Sequence, residues 1–492
     1  MKKIIIACLF LFCLNVDALP IDAQILQAME EWKVPGCAIA VIKDGKVVHA
    51  SGYGVRKTGS KDAVDTRTLF AIGSCTKAFT ATAIAMLVDE KKISWDDRVI
   101  KYLPQFPLSE ITLRDLLCHR SGFESHELIW YGTSLSRDEI LLRLKYVSPT
   151  YTPRSRLCYN NLMYLVAGQI IPQVTHKSWD DFLRDRIFIP LSMFETSTSL
   201  KSLEVFSNVA SPHALINGEI KVIPWRNIDP IGPAGSINSN LLEMIQWVQF
   251  QLASGKIKKK TLLSSTLFEE MQSPQITLDN PTTWQRLYMP RGDTLSYGLG
   301  WWISNDRGLK VVEHLGAVDG MSSLVTMIPE KDLGIILLTN CEKTYLLFSL
   351  KQTLFDILLE DTQEDWNGYY KRVKQKIKEE DETKFHQLVN ARLGHGILRY
   401  PEPISFVGIY ESPIYGSLSC TLNQDGNKLL FKFASFEGEL SHLQAETYEL
   451  QCQQFPLNQY KCYIIFTQTV DGKKVATFFS PGFIDAPFIL KG

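Results

Sequence analysis

Ser74 and Lys77 stand three residues apart in Ser74-Cys75-Thr76-Lys77, directly ahead of an almost wholly apolar run from Ala78 to Val88. In the first turn of a helix, that spacing puts a hydroxyl and an amine on one face, within reach of each other. A serine so placed can be activated for attack without a histidine triad. The helix N-terminus adds unpaired backbone N–H groups for an oxyanion, and its dipole favours developing negative charge. A packed position beside those positive ends lowers the pKa of Lys77, which then serves as a base or proton relay near neutral pH.

Two further stretches carry compatible chemistry. Tyr159-Asn160-Asn161 precedes a helical run that starts at Leu162. A tyrosine near a lysine ammonium loses its proton more easily, so Tyr159 could act as base toward Ser74 and later as acid to the leaving group. Asn161 offers a donor and an acceptor, suited to holding a substrate amide and the lysine together, although it also suits a helix N-cap. His314-Leu315-Gly316-Ala317 closes a strand-like segment. There His314 would face the nucleophile across a cleft, Gly316 would allow close backbone approach, and the Ala317 N–H would be a second oxyanion donor beside that of Ser74.

These residues need a frame. Helical periodicity covers Ile21 to Trp32, Leu113 to Cys118, Arg137 to Lys145, Leu162 to Val174 and Leu241 to Ala253. Strand-like runs occur early, at Cys37 to Ile42 and Val47 to Tyr53, around the turn Lys43-Asp44-Gly45-Lys46. They return late, at Leu299 to Ile303, Leu309 to His314, Ser322 to Ile328 and Gly334 to Asn340. Early strands, a helical middle and late strands predict an α/β (α+β) domain, with one sheet built from both ends and a helical region inserted. A charge-dense stretch over residues 361–395 reads as an exposed helical connector. From residue 396 to 492 short runs alternate with turns such as Asp425-Gly426 and Asp471-Gly472, which predicts a small antiparallel β-barrel or sandwich.

At 492 residues the chain exceeds one ordinary core, and a net charge of −1 argues against a nucleic-acid surface. Lys2 and Lys3, the apolar run Ile4 to Leu14 and Val16-Asp17-Ala18 read as a cleaved export signal over residues 1–18, leaving a periplasmic or secreted protein with no membrane span. Residues 19–360 then form the main domain. Eight cysteines remain in that mature chain, scattered rather than dense, and Cys452 with Cys462 on neighbouring strand-like segments is the candidate disulfide. The histidines are spread singly, without His-Glu-x-x-His or Cys-x-x-Cys, so no metal site is expected. Without a Gly-x-Ser-x-Gly elbow or a phosphate-binding glycine loop, a triad hydrolase or nucleotide enzyme is disfavoured. Arg291-Gly292-Asp293 reads as a turn before Tyr297, and His119-Arg120-Ser121-Gly122 as a turn behind the site wall. The insertion Phe123 to Ser136 suits either surface packing or a cleft lining, with Trp130 and Tyr131 as candidate substrate contacts.

Together, Ser-x-x-Lys, Tyr-x-Asn and His-x-Gly in this order resemble the serine β-lactamase and penicillin-binding-protein superfamily. Leu116-Leu117-Cys118-His119-Arg120-Ser121-Gly122, Pro233-Ala234-Gly235-Ser236 and Tyr297-Gly298-Leu299-Gly300-Trp301 resemble its class C and esterase-like branch, and the C-terminal β region resembles the lipocalin-like domain appended to peptidase-type members. The resemblance implies acyl-enzyme chemistry on a β-lactam, a D-amino-acid peptide or an ester, with no cofactor. It implies Ser74 as nucleophile, Lys77 and Tyr159 in proton transfer, and Asn161, His314, Gly316 and Ala317 at the substrate. His314 stands where many members have lysine, so positive charge there would be partial and pH-dependent. The β region would shape access to the cleft or stabilise a homo-oligomer. The alternative is a penicillin-binding or sensor-type protein that acylates, or binds peptidoglycan fragments, without turnover.

Overall fold

The computed structural model describes residues 21–258, 260–342, 344–392, 402–444, 446–452, 461–480 and 485–491. The segment read as an export signal lies outside the described residues, as does the end of the connector. An eight-stranded, fully antiparallel sheet forms the frame. From one edge to the other it runs Lys46–Gly54, Gly36–Lys43, Leu333–Thr339, Met321–Ile328, Leu309–Val318, Trp302–Asp306, Leu295–Tyr297 and Ile276–Thr277. Strands from both ends of the domain therefore meet, Cys37 opposite Thr339 and Lys43 opposite Leu333.

Strand alternation explains why the central strands are apolar throughout. Successive side chains point to opposite faces, and both faces are covered. Ala38, Ala40 and Ile42 join Ile336 and Leu338 in the core beneath the inserted helices. Cys37, Ile39 and Val41 join Ile335 and Leu337 in a second core, under the helices Asp22–Trp32 and Leu346–Leu358. The helix that follows Ser74, Thr76–Asp89, has almost no polar face and is buried on nearly all sides, as expected of a helix apolar all round. Lys77 is thus carried into a fully buried position.

The late strand expected over Leu299 to Ile303 starts only at Trp302. Gly300, at φ +86°, instead makes a turn in which an added Cβ would lie 3.0 Å from the Ala78 Cα, so the turn packs directly on the nucleophile helix. Arg291 does sit in a turn, and its guanidinium binds Asp356, Asp361 and Glu364. The connector is less exposed than its composition suggests. Its helix is Trp366–Arg392, and Trp366 and Tyr370 at its start are buried against Leu287 and Phe348.

The C-terminal strands close into an eight-stranded antiparallel barrel in simple sequential order, the first, Gly408–Ser412, pairing with the last, Ala486–Leu490. Tyr410, Phe431, Phe433, Phe478 and Phe488 are buried in its core. No disulfide joins Cys452 and Cys462. Register explains the lost disulfide, because Cys462 pairs with Leu450 while Cys452 pairs with Gly438 on the other side. Among the described residues no helix is long and apolar enough to cross a membrane.

Candidate active site

Ser74 lies in the short 3₁₀ turn Gly73–Cys75, which runs straight into the helix Thr76–Asp89. The Lys77 Nζ, fully buried, reaches Ser74 Oγ at 2.9 Å, Asn161 Oδ1 at 2.8 Å and the Ala234 carbonyl at 2.9 Å. An ammonium can donate to all three. A neutral amine can keep donating to Asn161 and Ala234 and turn its lone pair to the Ser74 hydroxyl, the only one of the three partners that can itself donate. Burial pushes the Lys77 amine down to about 7, against an upward pull from the Glu127 carboxylate and Cys75. The pair is therefore built so that the lysine can take the serine proton near neutral pH.

Tyr159 has its ring centroid 4.8 Å from the Lys77 Nζ. Its protonation corrects the expectation that Lys77 would make it a ready phenolate. Burial is the dominant effect and raises the phenol well above its ordinary value, with the nearby Ser74 hydroxyl opposing it and the Glu127 charge adding to it. Tyr159 is neutral at neutral pH and suits passing a proton, not holding a negative charge. His119 backs it at 4.3 Å between ring centroids, with Nδ1 accepting from the Asn160 amide at 3.1 Å.

Asn161 is free for Lys77 because its neighbour does the capping. Asn160 is the N-cap of the helix Asn161–Thr175, accepting from the Leu162 amide at 2.9 Å. The Asn161 amide turns its oxygen to Lys77 and its Nδ2 to Glu127, at 3.2 Å from each carboxylate oxygen. No other orientation works, since an ammonium only donates and a carboxylate only accepts.

His314 requires a larger correction. It is buried, its Nδ1 contacts the Leu315 carbonyl at 2.7 Å and its Nε2 contacts the Tyr297 hydroxyl at 2.9 Å. The carbonyl can only accept, so Nδ1 carries the proton and Nε2 accepts from Tyr297. Burial, then the Lys77 charge, pushes His314 down to about 3. The partial positive charge expected beside the substrate is absent at neutral pH. His314 sits within the wall.

Gly316 and Ala317 bring the strand Leu309–Val318 against the nucleophile turn. A Cβ on Gly316 would sit 1.9 Å from the Ile72 carbonyl oxygen and 2.4 Å from Ser323 Oγ, and a Cβ on Gly73 would sit 2.5 Å from the Ala317 nitrogen. The Ser74 and Ala317 segments thus run backbone to backbone, the arrangement that two oxyanion donors require. Gly316→Ala is expected to lower stability by about 2 kcal/mol and to slow any Ser74 acylation by pushing the strand away. Thermal melting and acylation rates on the same sample check both effects.

Cys75 is a packing thiol. It contacts the His314 carbonyl at 3.1 Å and Ser323 Oγ at 3.3 Å, and burial pushes it up to about 11. Trp130 and Tyr131, candidate substrate contacts, are both buried and tied down, the indole to Glu127 at 2.7 Å and the phenol to Asp319 at 2.9 Å. Two groups in direct contact with the site carry no sequence signal of their own. Ala234 offers only a backbone carbonyl, invisible in a residue type, although its Pro-Ala-Gly-Ser stretch stands out. Glu127 lies in the aromatic insertion, where no motif marks it.

Sheet, serine with its buried lysine and Tyr-x-Asn wall define the class of protein, and comparison with known proteins agrees. The beta-lactamase family model matches residues 21–350, so the chain belongs to the beta-lactamase family, within the β-lactamase and penicillin-binding-protein superfamily. It is 28% identical to the unguisins hydrolase ungD' of Aspergillus campestris, over 72% of this chain and 68% of that protein. It is 29% identical to penicillin-binding protein 4 of Amycolatopsis lactamdurans, over 63% of this chain and 82% of that protein. The solved octameric penicillin-binding protein homologue from Pyrococcus abyssi shares the fold at a TM-score of 0.63 and 22% identity, covering 95% of this chain and 99% of that one.

Proposed function

We propose that this protein is an exported serine hydrolase that forms an acyl-enzyme at Ser74 on an amide, ester or β-lactam carbonyl. The observation that carries the reading is the buried Lys77 Nζ, 2.9 Å from Ser74 Oγ and with an amine brought to about 7. Ser74 attacks the carbonyl carbon while its proton passes to neutral Lys77. The backbone amides of Ser74 and Ala317 receive the negative charge on the carbonyl oxygen. Collapse expels the amine or alcohol, which takes a proton from Lys77 through Tyr159. Water then cleaves the acyl-serine, with the same groups working in reverse. Membership of a family that includes hydrolases supports this chemistry.

The neutral His314 bears on substrate choice. A site without a strand cation favours esters, amides and peptides over ligands that need a carboxylate neutralised at that point. Esters and D-amino-acid amides without a carboxylate on the leaving group are therefore the preferred substrates, with β-lactams behind them. The Lys2-Lys3 and Ile4–Leu14 pattern supports export. The octameric state of the Pyrococcus abyssi homologue supports testing for a homo-oligomer.

The purified protein is exposed separately to a fluorescent penicillin, a p-nitrophenyl ester and a D-alanyl p-nitroanilide, with adduct mass and product release followed together. A Ser74 adduct with steady release is expected. A lasting adduct without release would replace hydrolysis with a penicillin-binding or sensor role, and no adduct with any probe would overturn the assignment.

A further inference from the structure

Glu127 has no place in the motifs, yet it touches the site at one remove. It lies in the short turn Glu127–Ile129 of the insertion. Its carboxylate accepts from the Asn161 Nδ2 at 3.2 Å, from the Trp130 indole at 2.7 Å and from the Ser125 hydroxyl. Asn161 in turn holds Lys77, and Lys77 holds Ser74. A four-member chain therefore runs from a carboxylate in the insertion to the nucleophile, with every donor and acceptor matched.

The insertion is itself held from outside. The His126 Nδ1, one residue before Glu127, is 2.6 Å from the Tyr415 hydroxyl, in the barrel turn between the strands Gly408–Ser412 and Gly416–Leu422. Arg143 donates to the neighbouring Ile414 carbonyl at 3.3 Å. A second barrel turn meets the same segment, since a Cβ on Gly132 would lie 2.1 Å from Ser435 Oγ. Gly132, at φ +72°, thus permits the close approach as well as the turn.

We propose that Glu127 is a positioning residue for the Ser74–Lys77 pair, acting through Asn161, and that the barrel fixes Glu127 in place through the Tyr415–His126 contact. On this account the barrel completes the active site without lending it a reacting group. The proposal deepens the hydrolase reading and rests on it for its kinetic consequences, but its structural claim can be tested without turnover.

The electrostatic consequence is specific. Lys77 is faced by Tyr159, by Tyr164 at 5.4 Å to the ring, by the neutral His119 and His314, by Cys75 and by Glu127. Among these described groups Glu127 is the carboxylate, and it pulls the lysine upward. Removing its charge should therefore lower the Lys77 midpoint.

The test is a titration of the full chain labelled with ¹³Cε-lysine, followed by NMR, with Lys77→Met to assign the resonance. In Glu127→Gln the Lys77 midpoint is expected to fall by about half a unit or more. Tyr415→Phe should move it the same way by less, and should add nothing in the Glu127→Gln background, because both act through one contact. If Ser74 proves reactive, kcat should fall several-fold in Glu127→Gln, with the acid limb of its pH profile displaced by the same amount. An unmoved Lys77 midpoint in Glu127→Gln overturns the positioning role. A Tyr415→Phe effect that is absent, or that adds in full to Glu127→Gln, overturns the barrel's part. A chain that acylates no probe at Ser74 counts against the hydrolase reading alone, since the NMR midpoints still decide the positioning claim.

Discussion

Ser74→Ala is expected to abolish adduct formation and to reduce hydrolysis by about 1,000-fold or more. The fold should survive. The Ser74 hydroxyl gives up one contact with Lys77, whose bonds to Asn161 and Ala234 remain. Losing a single hydrogen bond of this kind costs about 1 kcal/mol, so the melting temperature should move by only a few degrees. Intact-mass measurement after exposure to an ester, paired with a melting curve, separates lost chemistry from lost structure. Unchanged hydrolysis in a folded Ser74→Ala protein would end the assignment.

Lys77→Met should be nearly as severe, at about 1,000-fold in kcat/KM, and the pH profile identifies the reason. Only the neutral amine can accept the Ser74 proton. With Lys77 brought down to about 7, wild-type kcat/KM should rise with pH below that point and level off above it. Were the base a Tyr159 phenolate, the rise would fall far above neutrality, because burial raises that phenol. A limb near 7 that vanishes in Lys77→Met supports the lysine, whereas a limb well into the alkaline range would transfer the role to Tyr159.

The same depression has a consequence for stability. Between about pH 7 and the ordinary lysine value, near 10.4, the unfolded chain binds a proton that the folded chain does not. Folded-state stability therefore rises with pH across that window. Lys77→Met should lose that part of the dependence, which denaturant titrations at several pH values would show.

Much of the architecture is legible in local pattern. A short, continuous apolar run marks Cys37 to Ile42, and a 3.6-residue period marks Leu241 to Ala253; the structure has a strand at Gly36–Lys43 and a helix at Leu241–Leu252. The segment 299–301 reads as strand in the sequence because it is apolar, whereas Gly300 turns the chain against the nucleophile helix, a contact that no local period reports. The Ser74–Lys77 contact is legible because three residues of helix guarantee it.

What the sequence alone determined is therefore the set of elements, the antiparallel β character of the C-terminal part, and the adjacency of Ser74 and Lys77, all properties that the backbone imposes over a few residues. Tertiary structure decided the charge states and the supporting cast. Tyr159, expected to be readily ionised, is held neutral because burial among Trp302, Tyr297 and His119 disfavours the phenolate, and His314, expected to be partly charged, is locked neutral because burial and then the Lys77 charge both push it down. Asn161 escapes the capping role because Asn160 takes it. Glu127 becomes part of the site through an amide that bridges two segments 34 residues apart. Desolvation and hydrogen-bond matching depend on what packs around a group, and that is known only when distant parts of the chain have met.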